Sequence, residues 1–156
     1  MRWVLFLCYT MFMKRVIEED EWEDIAKDLV KVAHTKRNQT GATVIALSGT
    51  LGAGKTTLTK SIAKVLGVRS RVSSPTFIVM KFFTLPKNAS WKQLIHIDAY
   101  RLEKSAELRT LGWEMYARDK NNLIVVEWPE KIKELLPKHF ISVKLAYAGN
   151  RRSISF

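Results

Sequence analysis

Apolar residues along this chain occur in two patterns, short continuous runs and stripes of helical spacing. Residues 43–48 form a short, mostly apolar run of the kind found in buried strands. An apolar stripe of helical spacing follows over residues 57–66, and Gly67 is well placed to end that helix. An earlier helix is predicted to begin at Asp20, with Glu23 completing a capping box, and its apolar stripe consists of Trp22, Ile25, Ala26, Leu29, Val32 and Ala33.

The remaining β-branched and aromatic runs predict further strands. Two strands are predicted at residues 77–83 and 91–97, and they are close enough in sequence to pair as a hairpin. A second hairpin is predicted at the end of the chain, between strands at 140–147 and 151–156. Further elements are expected as strands at 16–17 and 123–126 and as short helices at 105–111, at 113–118 and from Pro129 onward. This order predicts an α/β fold with a central, mostly parallel sheet and antiparallel hairpin additions.

The bulk composition is typical of one globular domain. The chain has 156 residues, of which 47% are hydrophobic and 26% are charged. A single cysteine, Cys8, excludes an internal disulfide framework and a cysteine-based zinc cluster, and it favours a reducing, cytoplasmic setting. His34, His96 and His139 are scattered without metal-ligand spacing, so we expect them to be surface or packing residues.

The chain is strongly basic. Its 26 Lys and Arg residues exceed its 15 Asp and Glu residues, which gives a formal charge of +11. This surplus favours an anionic partner such as a nucleotide, an RNA or an acidic protein surface, although solubility alone is an alternative explanation. Because no dense Lys/Arg block with interleaved aromatic residues is present, direct nucleic-acid recognition is not favoured.

The first thirteen residues differ from the rest. Residues 3–13 are mostly apolar, but this run is too short to span a bilayer. No A-x-A-like cleavage site follows it, so a secretory signal is not favoured. We therefore interpret residues 1–13 as an N-terminal extension, with Met13 as the preferred start of the protein, and a peripheral apolar arm is the alternative.

A glycine-rich loop lies between the predicted strand 43–48 and the helix that follows it. Residues 49–56 fit the phosphate-binding pattern G-x-x-x-x-G-K-[ST] at every fixed position. In such a loop backbone N–H groups surround a phosphate, the lysine (here Lys55) reaches the β- and γ-phosphates, and the hydroxyl (here Thr56) ligates Mg²⁺. The alternative is a glycine turn that happens to end in Lys-Thr.

Two apolar strands end in a carboxylate, and a third segment offers hydroxyl groups. Asp98 follows one strand and Glu127 follows the other, and either can be the acidic residue that such sites place at a strand's carboxyl end. The alternative for each is a solvated strand end. In the loop 73–77, Thr76 is a candidate sensor of the γ-phosphate, while an ordinary turn fixed by Pro75 is the alternative.

Taken together, these segments resemble the TsaE family, also called YjeE. The resemblance covers the chain from about Val16 to its end and rests on residues 49–57, 74–77, 96–102, 107–112 and 127–130. The glycine loop is shared by a very large superfamily, whereas the S-P-T-F, D-x-Y-R-L and E-W-P-E runs are far more specific. Thr50 and Ala99 depart mildly from the family pattern, and neither puts activity in doubt.

The resemblance implies a three-layer P-loop NTPase-like fold and a single ATPase domain over residues 14–156. It assigns Thr56 and Glu127 to Mg²⁺, places Asp98 near the γ-phosphate, and puts Thr76 in a switch-like loop. The implied catalytic set consists of Lys55, Thr76, Asp98 and Glu127. The implied ATP/ADP-binding set is Gly49, Leu51, Gly52, Ala53, Gly54, Lys55, Thr56, Thr57, Trp128 and Arg151, with residues 18–20 also flanking the base.

The resemblance also implies partners and a role. The family's role is to bind the paralogous subunits TsaB and TsaD, of which TsaD transfers a threonylcarbamoyl group to adenosine 37 of tRNA. Its ATP hydrolysis is expected to depend on those partners and to reset the complex between rounds, so tRNA is engaged indirectly. Tyr100 and Arg101 are expected to face the partner rather than the nucleotide, and no membrane is involved.

Two other functional classes fit parts of the sequence. A small-molecule kinase shares the glycine loop and the chain length, but only Arg69 and Arg71 suggest the arginine-rich lid that such kinases carry. A non-catalytic RNA-binding protein would use the positive charge and predicts salt-dependent tRNA binding without nucleotide.

Overall fold

A seven-stranded sheet forms the middle layer of the protein, in a computed structural model that describes residues 14–156. The predicted N-terminal extension, residues 1–13, lies outside the described residues. In spatial order the sheet is β1-β7-β6-β2-β5-β4-β3. The strands are β1 (Lys14–Ile17), β2 (Thr43–Gly49), β3 (Met80–Thr84), β4 (Gln93–Asp98), β5 (Asn122–Glu127), β6 (Ile141–Ala148) and β7 (Arg151–Ser155).

The centre of the sheet is parallel and its edges are antiparallel. β2 runs parallel to both β5 and β6, and β4 runs parallel to β5. β3 pairs antiparallel with β4, β7 with β6, and β1 with β7. The predicted α/β fold with a mostly parallel sheet and two hairpin additions is therefore confirmed. Since the four central strands point the same way, their carboxyl ends meet at one edge.

Helices cover both faces of the sheet and complete the three layers. Helices α1 (Trp22–Thr35) and α2 (Lys55–Val65) pack on one face, where Ile25, Leu29, Leu58 and Ile62 are fully buried against the strands. The other face carries α3 (Ser105–Thr110), α4 (Trp113–Ala117) and a 3-10 segment, Pro129–Leu135. Within the described residues, no helix combines the length and the apolar character needed to cross a membrane.

Several predicted starts differ from the observed ones by two residues or more, as for α2 at Lys55 instead of 57 and β4 at Gln93 instead of 91, and two of these differences have a visible cause. The first helix begins at Trp22 rather than Asp20, because a 3-10 turn occupies Glu19–Glu21. The capping box forms there instead, where the Glu18 N–H donates to Glu21 Oε2 at 2.8 Å. A second prediction placed a strand over 77–83, but the Pro75 carbonyl accepts hydrogen bonds from the N–H groups of Ile78 and Val79 and holds a turn. β3 therefore begins only at Met80.

Candidate active site

The loop between β2 and α2 requires glycine at two positions. Gly49 has φ +145° and Gly54 has φ +104°, conformations that other residues adopt only at a cost. A Cβ on Gly49 would overlap the Leu145 carbonyl, and one on Gly54 would overlap the Trp22 ring. Both close approaches exist because the loop is packed between β6 and α1. The glycines thus allow the backbone itself to line the space above the sheet.

The start of α2 supplies N–H groups that suit an anion. In the described part of the chain, the N–H groups of Lys55, Thr56 and Thr57 have no protein acceptor, as expected for the first turn of a helix. The helix dipole adds positive potential at the same place. N–H groups arranged in this way fit a phosphate group without any further side chain.

The Lys55 ammonium is held across the loop. Its Nζ donates to the carbonyl oxygens of Gly49 at 2.7 Å and Thr50 at 2.9 Å, and it lies 3.8 Å from the Trp128 ring centroid. Desolvation lowers the pKa of Lys55, and the negative charges of Glu127, Glu130 and Asp98 act in the opposite direction. A buried cation with only backbone acceptors favours the arrival of an anionic group beside it.

The Glu127 carboxylate sits in a buried cluster of donors. The Thr56 hydroxyl donates to its Oε2 at 2.9 Å, and the His96 Nε2–H donates to its Oε1 at 2.7 Å. Thr59 adds a longer contact of 3.4 Å to Oε1. Because the Thr56 hydroxyl uses its hydrogen for Glu127, its oxygen lone pairs remain available to a cation. Such a hydroxyl and carboxylate are hard oxygen ligands of the kind that Mg²⁺ prefers.

The Asp98 carboxylate is tied to the loop that follows α2. Thr76 donates to its Oδ2 at 2.5 Å and Ser74 donates to the same oxygen at 3.0 Å. The Tyr100 N–H donates to Oδ1 at 3.1 Å. Asp98 and Glu127 are direct register partners on β4 and β5, so the two carboxylates lie side by side at the carboxyl edge of the sheet. Any movement of Thr76 therefore changes the hydrogen bonding of Asp98.

Two aromatic residues line the site, one after β4 and one after β5. Trp128 has a left-handed backbone, with φ +61°, and its ring lies 5.0 Å from that of Tyr100. Tyr100 therefore lines the pocket, which differs from the expectation that it faces only a partner. The reason is that the backbone turns back over Asp98, whose Oδ1 holds the Tyr100 N–H. Arg101 points outward and lies 4.3 Å over the exposed Phe77 ring.

Two adjoining cavities connect the predicted site residues. The first, of about 290 Å³, is lined by Leu51, Gly52, Gly54, Lys55, Thr56, Thr57, Ser74, Thr76, Asp98, Tyr100, Glu127 and Trp128. The second, of about 220 Å³, shares Gly52, Gly54 and Thr57 with the first and extends to Glu18, Trp22 and Arg151. Arg151 donates to Glu18 at 2.9 Å across its mouth. Of the predicted set only Gly49 and Ala53 line neither cavity, since Gly49 closes β2 and Ala53 is buried; of the flanking residues 18–20, Asp20 lines neither.

His96 is the residue that the sequence interpretation missed. It was expected to be a packing or surface residue, and it is fully buried but bonded to Glu127. Strand alternation carries the signal, because His96 lies two residues before Asp98 and therefore on the same face of β4. Its Nδ1 has no partner in the described residues. Those residues also contain no group of three or more His, Cys, Asp or Glu side chains able to hold a metal.

Comparison with known proteins decides the family. Residues 16–154 match the family model described as "Threonylcarbamoyl adenosine biosynthesis protein TsaE". The chain belongs to the TsaE family. It is 36% identical to the "tRNA threonylcarbamoyladenosine biosynthesis protein TsaE" of Bacillus subtilis strain 168 over 143 residues, covering 91% of this chain and 82% of that protein. The predicted resemblance is confirmed.

A second relative and a solved structure agree with this assignment. The protein of the same name from Haemophilus influenzae is 34% identical over 129 residues, covering 83% of this chain and 75% of that one. Among solved structures, the crystal structure of Bacillus subtilis YdiB superposes with a TM-score of 0.64 and 28% identity, covering 95% of this chain and 87% of that one. Membership of the TsaE family links this chain to tRNA threonylcarbamoyladenosine biosynthesis.

Proposed function

We propose that the protein is a Mg²⁺-dependent ATP hydrolase that serves tRNA threonylcarbamoyladenosine synthesis. One observation carries the proposal: the amides at the start of α2, the Lys55 ammonium, the Thr56–Glu127 pair and Asp98 all border a single cavity of about 290 Å³. A phosphate cradle, a hard-oxygen cation site and a second carboxylate are the parts that phosphoryl transfer to water needs. We place this activity in the cytoplasm, where ATP and tRNA are both present.

In this proposal each residue has a defined task. The loop amides and Lys55 bind the β- and γ-phosphates, and Thr56 with Glu127 holds Mg²⁺. Bound there, Mg²⁺ offsets the negative charge of the phosphates during transfer. Asp98 accepts a hydrogen bond from the attacking water and orients it, because Thr76 and Ser74 fix the position of its carboxylate. The cavity between Trp22, Glu18 and Arg151 receives the base.

We further propose that TsaB and TsaD complete the activity and that hydrolysis resets their complex. Support comes from exposed apolar side chains at and beside the cavity: Leu51 (72% exposed) and Tyr100 (45%) line it, and Phe77 (83%) directly follows Thr76, which lines it too. Large exposed apolar residues that cluster beside a site are typical of a docking surface. Thr76 lines the cavity, so a change of nucleotide there also moves its neighbour Phe77. A partner that binds Phe77 therefore binds the ATP-bound and ADP-bound forms with different affinities. In this arrangement tRNA is engaged through the complex.

Phosphate release from Mg-ATP tests the proposal, measured for the full chain alone and with TsaB and TsaD. Lys55→Ala and Glu127→Gln should abolish release in the complex, because each removes a charge that the site needs. Lys60→Ala is the matched control, since Lys60 is exposed on the same helix and lines neither cavity. Wild-type hydrolysis by Lys55→Ala would contradict the proposal. Transfer of labelled γ-phosphate to a metabolite rather than to water would instead favour a kinase.

A further inference from the structure

Positive charge is concentrated at the edge of the sheet opposite the proposed ATP site. The loops 36–42, 85–92, 118–121 and 136–140 precede β2, β4, β5 and β6. These four strands are parallel, so all four loops lie at the amino edge of the sheet. They contain seven Lys or Arg residues and one acidic residue, Asp119. Their net charge is therefore +6, more than half of the +11 of the whole chain. We call this surface the basic face.

The opposite edge has no such surplus. The segments that follow the same four strands are 50–54, 99–104, 128 and 149–150. They hold two cations, Arg101 and Lys104, and one anion, Glu103. Apart from Lys55 and Arg151, which line the two cavities of the proposed ATP site, the positive charge at the edges of the sheet is thus placed away from that site. A second anionic ligand explains this distribution better than ATP does.

The cations of the basic face are not used in ion pairs. Within residues 14–156, none of the seven has a carboxylate partner, whereas Lys27, Lys31 and Lys64 on the helical face all pair with carboxylates of α1. The single anion of the basic face, Asp119, accepts hydrogen bonds from Asn121 of its own loop. Seven unpaired cations on one surface repel each other, and a polyanion removes that repulsion.

A cleft in the basic face adds recognition elements beyond charge. It measures about 480 Å³ and is lined by Lys36, Arg37, Lys138 and His139, with no acidic residue among its lining residues. Phe140 stands at its wall and is 41% exposed. The Arg37 guanidinium lies 5.8 Å from the Trp91 ring centroid, which restrains this cation of the cleft. An exposed aromatic ring beside cations is the arrangement that binds an unpaired base together with its phosphate.

We propose that the basic face binds RNA directly, through phosphate contacts and one base stacked on Phe140, and that the RNA is a tRNA. The exposed Phe140 ring and the amide side chains of Asn38 and Gln39 in the cleft favour RNA over an acidic protein surface, since a nucleic-acid base stacks on an aromatic ring and a carboxylate does not. The family's role in the biosynthesis of a tRNA nucleoside supplies the substrate. This inference goes beyond ATP hydrolysis and does not depend on it, and it adds a direct contact to the engagement of tRNA through the complex proposed above.

Binding of the full-length protein to a fluorescently labelled, unmodified tRNA transcript tests this inference, by anisotropy across a series of salt concentrations. The variant Lys36→Gln/Arg37→Gln/Lys138→Gln should weaken binding at least about tenfold and flatten the slope of log K against log[salt] by about 2 to 3. The charge-matched control is Lys60→Gln/Lys131→Gln/Lys144→Gln, whose residues are exposed and lie outside the basic face. It should change affinity and slope much less. Phe140→Ala should weaken binding without changing the slope.

Three outcomes would overturn the inference. Equal losses in both triple variants would show that only bulk charge matters. Unchanged tRNA binding in the first triple would remove the site, and loss of TsaB–TsaD binding in that variant would assign the face to a protein instead. Calorimetric binding of Mg-ATP should stay normal in the first triple, so failure of this inference is distinguishable from failure of the proposed ATPase.

Discussion

The His96 imidazole and the Glu127 carboxylate form a hydrogen bond of 2.7 Å in which both side chains are buried. The carboxylate can only accept, so Nε2 carries the hydrogen of this bond. On its other side Glu127 accepts from Thr56. The carboxylate proposed to hold Mg²⁺ is therefore positioned from two directions, by β4 and by α2.

Replacing His96 should make the Glu127 carboxylate less firmly positioned and lower the apparent affinity for Mg²⁺. His96→Leu removes the donor but keeps an apolar side chain in the sheet, and we expect the apparent Mg²⁺ affinity to fall by about 10- to 100-fold, the usual effect of losing such a supporting hydrogen bond. His96→Gln keeps an N–H donor and should recover part of the loss. The measurement is a Mg²⁺ titration of ATP binding by calorimetry, with thermal unfolding recorded in parallel.

The exposed His139 provides the control for this prediction, since His139→Gln should leave the Mg²⁺ titration unchanged. A His96→Leu protein that folds normally and needs no additional Mg²⁺ would show that Glu127 does not rely on His96.

Gly54→Ala should disrupt the phosphate loop through sterics rather than through lost contacts. The new Cβ overlaps the Trp22 ring, and the backbone at φ +104° already disfavours alanine. We expect ATP affinity to fall at least about 100-fold, because the loop must leave its position to relieve the overlap and backbone strain alone costs about 1–3 kcal/mol. Calorimetric titration with Mg-ATP measures the loss.

Gly149→Ala is the control that separates the effect of backbone strain from the effect of steric overlap. Gly149 also has positive φ, at +61°, but a Cβ there meets nothing within 4 Å. This variant should lose about 1 kcal/mol of stability and bind ATP normally. If Gly54→Ala binds ATP as well as Gly149→Ala does, the loop does not need its observed conformation.

Removing the Thr76 hydroxyl should slow hydrolysis without changing nucleotide binding. Thr76 donates to Asp98 Oδ2 at 2.5 Å, so Thr76→Ala removes one of the two hydroxyl donors to that oxygen and loosens the proposed water-orienting carboxylate, while leaving the loop amides and Lys55 untouched. We expect the hydrolysis rate in the complex to fall by about 10- to 100-fold at unchanged ATP affinity. Thr76→Ser keeps the hydroxyl and should retain most of the activity. A parallel loss in Thr76→Ala and Thr76→Ser would point to the methyl group, and thus to packing, instead.

Much of the fold was predictable because its signals are local. The apolar run of β2, the glycine loop and the stripe of α2 each lie within one short segment, and the two hairpins follow from neighbouring strands. The predicted boundaries were wrong where neighbouring residues offer alternative local hydrogen bonds. Any of the three acidic residues Glu19–Glu21 and their neighbour Glu18 can take part in a cap, and the Pro75 carbonyl overrode the β-propensity of Phe77 and Ile78.

The parts that could not be predicted depend on contacts between strands. Asp98 and Glu127 were identified as strand ends, but their side-by-side register on β4 and β5 appears only in the assembled sheet. The same register places His96 next to Glu127. The basic face was missed for a related reason: its cations come from four separate loops, so the sequence shows no dense basic run, and only parallel pairing gathers them.

Arg151→Gln should separate nucleotide affinity from stability. Its ion pair with Glu18 is about half exposed on both sides, with side-chain exposures of 58% and 56%, and exposed pairs contribute only about 0–1 kcal/mol to folding. The melting temperature should therefore change by no more than a few degrees. Both residues nevertheless line the cavity proposed for the base, so loss of the guanidinium should lower ATP affinity several-fold. Arg109→Gln removes a comparable exposed pair, with Glu114, far from that cavity and should affect neither quantity. Equal ATP affinity in the Arg151→Gln and Arg109→Gln proteins would place the base elsewhere.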